Sequence, residues 1–421
     1  MPPVYRTYSG EGTCTFDDGY EFKASFRIEC SVDGSVEGEL IPGEAVDIFG
    51  FHQRLTQRAR LIGQVKEPTG QVVLSSIMLF GFHMSMPGGS SFRFVLVDEL
   101  RITYESIPEN AHIRLRFGLA NFLFFPSQTE PTSGGWSARK LPLALRNKRF
   151  EFVLLNGYGA VRDRLAVLDA RELTAEAFVE CLPNEVKTLK QTMWDGALLL
   201  SLAAGTWISV LYIDTLLQDN VVMTEIWPTK TYSYHDEPLL DSLSTDELRR
   251  FVAGGMTPLY SLRDKLKLGF ALEYCILAKI SPAVQVKFIV IFIAMEALLE
   301  RLQNHIPHSR RRLFSWSRLL SILRRGERFA VLDRLRLALE YYQIKDRFGV
   351  SNSAASPNFE QIRNRLVHSG DFPAAVDLVL CFRQLQDIYQ QLLLAILEYN
   401  GEYYDCTQSP IVKRPLRATT E

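Results

Sequence analysis

EFKASFRIECSVDG, residues 21 to 34, alternates apolar Phe22, Ala24, Phe26, Ile28 and Cys30 with polar Lys23, Ser25, Arg27 and Glu29. Successive side chains of a strand point to opposite faces, so this period of two predicts a half-buried β-strand. Asp18-Gly19 and Asp33-Gly34 bracket it as turn signals. Working outward, GQVVLSSIMLFGF, SFRFVLVDELRITY, HIRLRFGLANFLFF and FEFVLLNGYG read as further strands. Repeated short strands separated by Gly and Asp turns predict a sandwich or open barrel over residues 1–155. PSQTEPTSGG (126–135) is polar and rich in Pro and Gly, which predicts an exposed loop.

Residues 156–240 read as a small α+β domain. TAEAFVECLPNEVKTLKQTMWDGALLLSLAA (174–204) reads as largely helical, with Pro183 as a start or kink. Gly205 then breaks the chain, and two strands flank Gln218-Asp219-Asn220. From 241 to 421 the pattern is helical. Ser244 followed by Glu247 is a capping-box signature, and long helices are predicted over about 284–303, 329–345, 357–369 and 373–399. The tail after GEYYDC reads as loose. The fold class is α+β: a β-rich domain, a small mixed domain and an all-helical bundle.

The chain has 421 residues, 47% hydrophobic and 23% charged, with a formal net charge of −1. No global charge draws it to nucleic acid or a membrane, so any such footprint must be local. Cys14, Cys30, Cys181, Cys275, Cys381 and Cys406 form no CxxC pair and have no histidine at metal-ligand spacing. They read as reduced, buried cysteines in a cytoplasmic protein, with no metal and no cofactor expected. The start MPPVYRTYSG lacks a signal-peptide pattern, and the uncharged run 196–213 reads as a helix, a break and a strand, so no membrane segment is expected.

FEQIRNRLVHSGDFP (359–373) carries the functional signal. Ser356-Pro357 supplies a cap and a proline at the first helical position, and Gly370 stops the helix. On a helical wheel, Phe359, Ile362, Leu366 and Val367 define a buried face, and Arg363 falls inside it. Asn364 and His368 are neighbours at the margin, four residues apart. An arginine facing a core is costly unless paired. Structural pairing, or snorkelling of its head group out of the seam, are the plain readings; an anion-binding cleft or a symmetry partner is the functional one. Upstream, Glu296 follows the apolar run FIVIFIAM, with Phe292, Ile293 and Leu299 on its side of the helix. A carboxylate there needs a partner, and Arg363 is the economical candidate, in a role more structural than catalytic.

RNRLVH, Arg363 to His368, resembles the arginine, polar residue, spacer and histidine motif of the HEPN superfamily. FIVIFIAMEALLERL resembles the long apolar helix with an inset glutamate of its Apea-like subgroup. The resemblance covers about residues 260–400. It implies a helical bundle that pairs into a homodimer with facing motifs, and a metal-independent endoribonuclease of defence, abortive-infection or toxin systems. It further implies that His368 is the acid/base, Arg363 the phosphate-binding cation and Asn364 the orienting polar residue. The residue types suit that reaction: the RNA 2′-OH is the nucleophile, an imidazole moves its proton, and a guanidinium binds the phosphate oxygens.

Residues 301–350 hold twelve arginines and lysines against four acids, with Phe314, Trp316 and Tyr341 interleaved. Arg310, Arg311 and Arg312, together with Arg365, are the candidate RNA contacts; a solvated basic face is the alternative. His305 and His308 read as polar helix-end residues rather than metal ligands. The functional expectation is an endoribonuclease whose β-rich half senses an unknown trigger ligand or protein. The rival is a non-catalytic dimerisation or RNA- or nucleotide-binding bundle, with ligand or protein binding by the β-rich half.

Overall fold

A computed structural model describes residues 3–44, 54, 57–85, 89–132, 135–167, 170–229, 231–235, 237–241, 244–306, 331–351, 359–370, 377–405, 407–408 and 411–416. The chain forms two compact units. The first comprises residues 1–143, 148–194 and 208–234; the second comprises 144–147, 195–207 and 235–421.

The first unit is built on one antiparallel sheet of fourteen strands. Six of them close on themselves. β1 (Val4–Phe16), β2 (Glu21–Ser31), β3 (Val36–Pro42), β6 (Gly89–Leu96), β5 (Gly70–Ser85) and β4 (Arg58–Val65) follow one another, and β4 pairs with both β1 and β5. The expected sandwich or open barrel over residues 1–155 is corrected: six strands close into a barrel, and the same sheet continues through strands beyond residue 155. β2 buries Ala24, Phe26, Ile28 and Cys30 as its alternation requires, and they meet Leu40, Leu61, Leu74, Leu79 and Phe94 in the interior. A barrel this small is filled by its own side chains.

The sheet continues from β5 through β7 (Leu100–Thr103), β14 (Asn220–Ile226), β13 (Ser209–Leu217), β8 (Ile113–Ala120), β12 (Leu173–Cys181), β11 (Lys148–Leu154) and β10 (Gly135–Leu145) to β9 (Gln128–Thr132). Three expectations are corrected here. The stretch 156–240 is not a domain of its own, because β12 and β13 both pair with β8. TAEAFVEC is the strand β12 rather than helix; Ala175, Ala177, Val179 and Cys181 are buried at every second position. The predicted loop 126–135 contains β9 and the start of β10. β13 is buried along eight consecutive residues, the mark of a strand covered on both faces. α1 (Tyr158–Leu165) completes the unit, together with the first part of α2 (Val186–Ala204), which follows a 3-10 turn at Pro183–Glu185. Gly205 ends α2 with φ +67°, where a side chain would meet the Glu237 carbonyl.

The second unit is helical. Besides residues 195–204 of α2 it contains α3 (Thr245–Leu266), α4 (Leu268–Ile280), α5 (Val284–His305), α6 (Val331–Tyr342), α7 (Phe359–His368) and α8 (Leu378–Ile396). α5 is the hub and packs against α3, α4, α6, α7 and α8. The apolar run read from the sequence is what it buries: Phe288, Ile291, Phe292, Ala294, Met295, Leu298, Leu299 and Leu302. Ser244 caps α3, its hydroxyl accepting the Glu247 amide at 3.4 Å. The Glu247 carboxylate does not complete the box; it accepts the Tyr399 hydroxyl at 2.7 Å.

The unit is not all-helical, and its tail is paired over Val412–Pro415 rather than loose there. β15 (Glu402–Asp405) pairs with β16 (Val412–Pro415), and Asp405 is fully buried. Arg347 anchors this hairpin, donating to Asp405 at 2.9 Å, to Asp387 on α8 at 2.8 Å and to the Tyr403 hydroxyl at 3.0 Å. Among the described residues, no helix is long and apolar enough to cross a membrane.

Candidate active site on α5 and α7

α7 docks on α5 through rings. Phe359 stacks on Phe288 with centroids 6.1 Å apart, and Ile362 and Leu366 are buried along the same face. Val367, placed in that face by the wheel, is corrected: it is 51% exposed. The helix ends at His368, and Gly370 turns the chain away with φ +70°. The predicted cap at Ser356-Pro357 lies outside the described residues.

Arg363 starts on the apolar face, and its side chain runs across α5. Its guanidinium lies 5.4 Å from the centre of the Phe292 ring and donates from Nη2 to Glu296 Oε2 at 2.6 Å. The expected partner of Glu296 is therefore present. Nη1 donates to Asn364 Oδ1 at 2.8 Å. The pair is not deeply buried: the side chains retain 24% and 35% of their exposure. It is an edge feature, where an ion pair contributes about 0.2–1 kcal/mol. Two of the five guanidinium N–H groups are used by these bonds. The others have no partner among the described residues and remain for an oxyanion.

Asn364, Arg365 and His368 are exposed. His368, on the last turn of α7, makes no side-chain hydrogen bond or ion pair among the described residues. The structure thus joins Glu296, Arg363 and Asn364 in one hydrogen-bonded chain and leaves His368 open one turn farther on. Arg310, Arg311, Arg312 and His308 lie outside the described residues; His305, at the end of α5, is exposed. No group of three or more His, Cys, Asp or Glu side chains placed to hold a metal occurs among the described residues.

Sequence reasoning missed two charged clusters. In the sheet, fully buried Asp214 on β13 accepts two bonds from Arg6 on β1, at 2.8 and 2.6 Å. It also accepts from Arg116 on β8 at 3.0 and 2.6 Å, and from Thr224 on β14 at 2.7 Å. Arg6 lies 3.7 Å over the Tyr212 ring, whose hydroxyl donates to Glu176 at 2.5 Å. Burial pushes the Asp214 carboxyl up, but the bonds and charge of Arg6, the charge of Arg116 and the Thr224 bond outweigh it and leave it below the ordinary range. Every acceptor site of Asp214 is occupied, so this is a clamp between strands rather than a binding site. The second cluster, around Arg347, is likewise internal to the helical unit. No local signal announces either cluster, because the members are far apart in the chain.

Comparison with family models, with curated proteins and with solved structures finds no match to the chain.

Proposed function

We propose that the protein is a metal-independent endoribonuclease whose active centre is Arg363, Asn364 and His368 on α7. The observation that carries the proposal is the Glu296–Arg363–Asn364 chain at the edge of the bundle. A guanidinium is steered by a carboxylate, laid over an aromatic ring and left with unused donors, and an exposed imidazole follows five residues on, beside Asn364. In this reading Arg363 receives a phosphate of the RNA backbone. His368 takes the proton from the 2′-OH as that oxygen attacks the adjacent phosphorus. The 5′-oxygen leaves with a proton, and the products carry a 2′,3′-cyclic phosphate and a 5′-hydroxyl.

One motif supplies one histidine, so a second copy supplies the other proton-transfer group. Exposed Ile293, one turn before Glu296 on α5, and exposed Val367, one turn after Arg363 on α7, are the apolar side chains assigned to that contact in this reading. The working form is a homodimer through the helical unit, acting on RNA in the cytoplasm as a defence, abortive-infection or toxin effector. The β-rich unit serves as sensor or restraint for a ligand or protein trigger. Arg365 on the open side of α7 and the arginines 310–312 are the proposed backbone contacts.

A second reading is favoured by the same ion pair. Arg363 is already neutralised by Glu296, as a purely structural arginine would be, and the bundle would then be a non-catalytic dimerisation or RNA-binding module. One experiment separates the two. Purified full chain is incubated with mixed RNAs in EDTA beside His368→Ala and Arg363→Ala, and each form is also expressed in cells. Cleavage to cyclic-phosphate ends, or RNA loss and toxicity in cells, abolished by both substitutions, supports the nuclease. RNA binding with no cleavage in either setting overturns it.

A further inference from the structure

A cavity of ≈ 480 Å³ opens in the helical unit between the first three turns of α3 and the turn that follows α8. Its volume is that of a small-molecule site. One wall is the face of α3 that carries Glu247, Arg250 and Gly254; the other is the turn from Leu397 to Glu402.

Gly254 is the informative residue. Glycine is the poorest helix former after proline, and two stand side by side here. Gly255 has a packing reason, since a Cβ there would touch Leu199 at 3.4 Å. A Cβ on Gly254 would meet nothing within 4 Å. Packing does not call for a glycine at 254, and its absent side chain keeps the cavity open.

The charges define what fits. Glu247, Glu398 and Glu402 line the cavity with one guanidinium, Arg250, whose Nε is held 3.3 Å from the Asp246 carbonyl; Glu247 is itself paired with Lys413 at 3.8 Å, which leaves Glu398 and Glu402 as the open charges. The carboxylates of Glu398 and Glu402 are exposed and make no ion pair among the described residues. The turn also follows the C-terminal end of α8, the negative pole of that helix. The wall is held in shape by Tyr399, whose hydroxyl lies 2.7 Å from Glu247 Oε1 and 2.9 Å from the Glu402 carbonyl, and whose ring meets Phe251 edge-on at 5.4 Å. Carboxylates, a helix C-terminus and aromatic rings are the groups that receive an organic cation.

We propose that this cavity binds a small organic ammonium compound, with Glu398 and Glu402 taking its charge and Gly254 leaving room for its chain. The site is separate from Arg363 and His368, and the proposal stands whether or not the protein cleaves RNA.

The test is calorimetric titration and thermal melting of the full chain with putrescine, using 1,4-butanediol and succinate as neutral and anionic probes of the same length. Putrescine is expected to bind and to raise Tm, and the two controls to do neither. The double variant Glu398→Gln, Glu402→Gln should weaken binding by roughly tenfold or more. Gly254→Phe should abolish it, whereas Gly254→Ala should raise the melting temperature of the free protein, because the helix gains a better former. No binding of putrescine by the natural protein, equal binding of butanediol, or an unchanged affinity in the double glutamine variant overturns the proposal. If Gly254→Phe fails to fold, the glutamine variant decides alone.

Discussion

Arg6 and Asp214, 208 residues apart, meet in a two-pronged ion pair, Nη1 to Oδ1 at 2.8 Å and Nη2 to Oδ2 at 2.6 Å. The carboxylate has no exposure, and its removal leaves Arg6 without its counter-charge and Arg116 with only Glu176, 3.8 Å away. Asp214→Ala should cost about 3 kcal/mol in urea denaturation. Its carboxyl is held below the ordinary value, so its stabilisation is complete above the unfolded pKa of about 3.9 and fades as pH falls through the lowered folded value. The stability difference between natural protein and variant should be constant at neutral pH and shrink as pH falls below about 3.9; a difference that does not change with pH would contradict this account.

The two carboxylates held by Arg347 should behave unequally. Burial raises the Asp387 carboxyl above its usual value despite the opposing charge of Arg347. Burial also pushes Asp405 up, but the bonds from Thr407 and Arg347 outweigh that and leave it lowered. Ionised Asp405 therefore stabilises the folded state at neutral pH, while ionised Asp387 costs stability as pH rises through its raised value. Asp405→Asn should be the more destabilising at pH 7, with the gap narrowing as pH falls through the raised value of Asp387. Equal losses at both pH values would show that this ionic asymmetry is absent.

Glu296→Gln separates steering from stability. The pair with Arg363 is half-exposed, so its loss should change unfolding free energy by no more than about 1 kcal/mol. RNA cleavage, if Arg363 is the phosphate ligand, should fall by roughly tenfold or more, because an unsteered guanidinium loses its position. Full cleavage in the variant would remove Glu296 from the site.

The thiols offer an independent check on the packing. Cys14, Cys30 and Cys275 are buried, and burial pushes each of them up to about 12. A buried thiol without thiolate character is inert. These three should resist iodoacetamide at pH 8 in the native protein and label fully in denaturant. Peptide mapping that finds them alkylated before unfolding would refute the closed interiors of both units.

What could be read in advance followed locality. The alternation in β2 and the apolar run of α5 are periodic and close in sequence, and both elements formed as written. Glu296 and Arg363 were legible because each is a lone charge interrupting an apolar stripe, and two such interruptions on packed helices satisfy one another. The β12 stretch reads as helix because Ala and Glu are helix formers; its neighbours β8 and β11 impose the strand, and neither pairing is visible locally. The tail hairpin likewise owes its order to Arg347, more than fifty residues upstream. Val367 reads inward because a wheel registers hydrophobicity but not which side of the helix its neighbours cover.

Closure of the barrel bears on how copies of this chain could meet. β4 is hydrogen-bonded along both sides, so the ring has no border at which a foreign strand could be templated. At the far end of the ladder the outermost strand is β9, five residues long and containing Pro131, which has no amide hydrogen to offer. Among the described residues, strand addition is therefore hindered at both of these places in the large sheet.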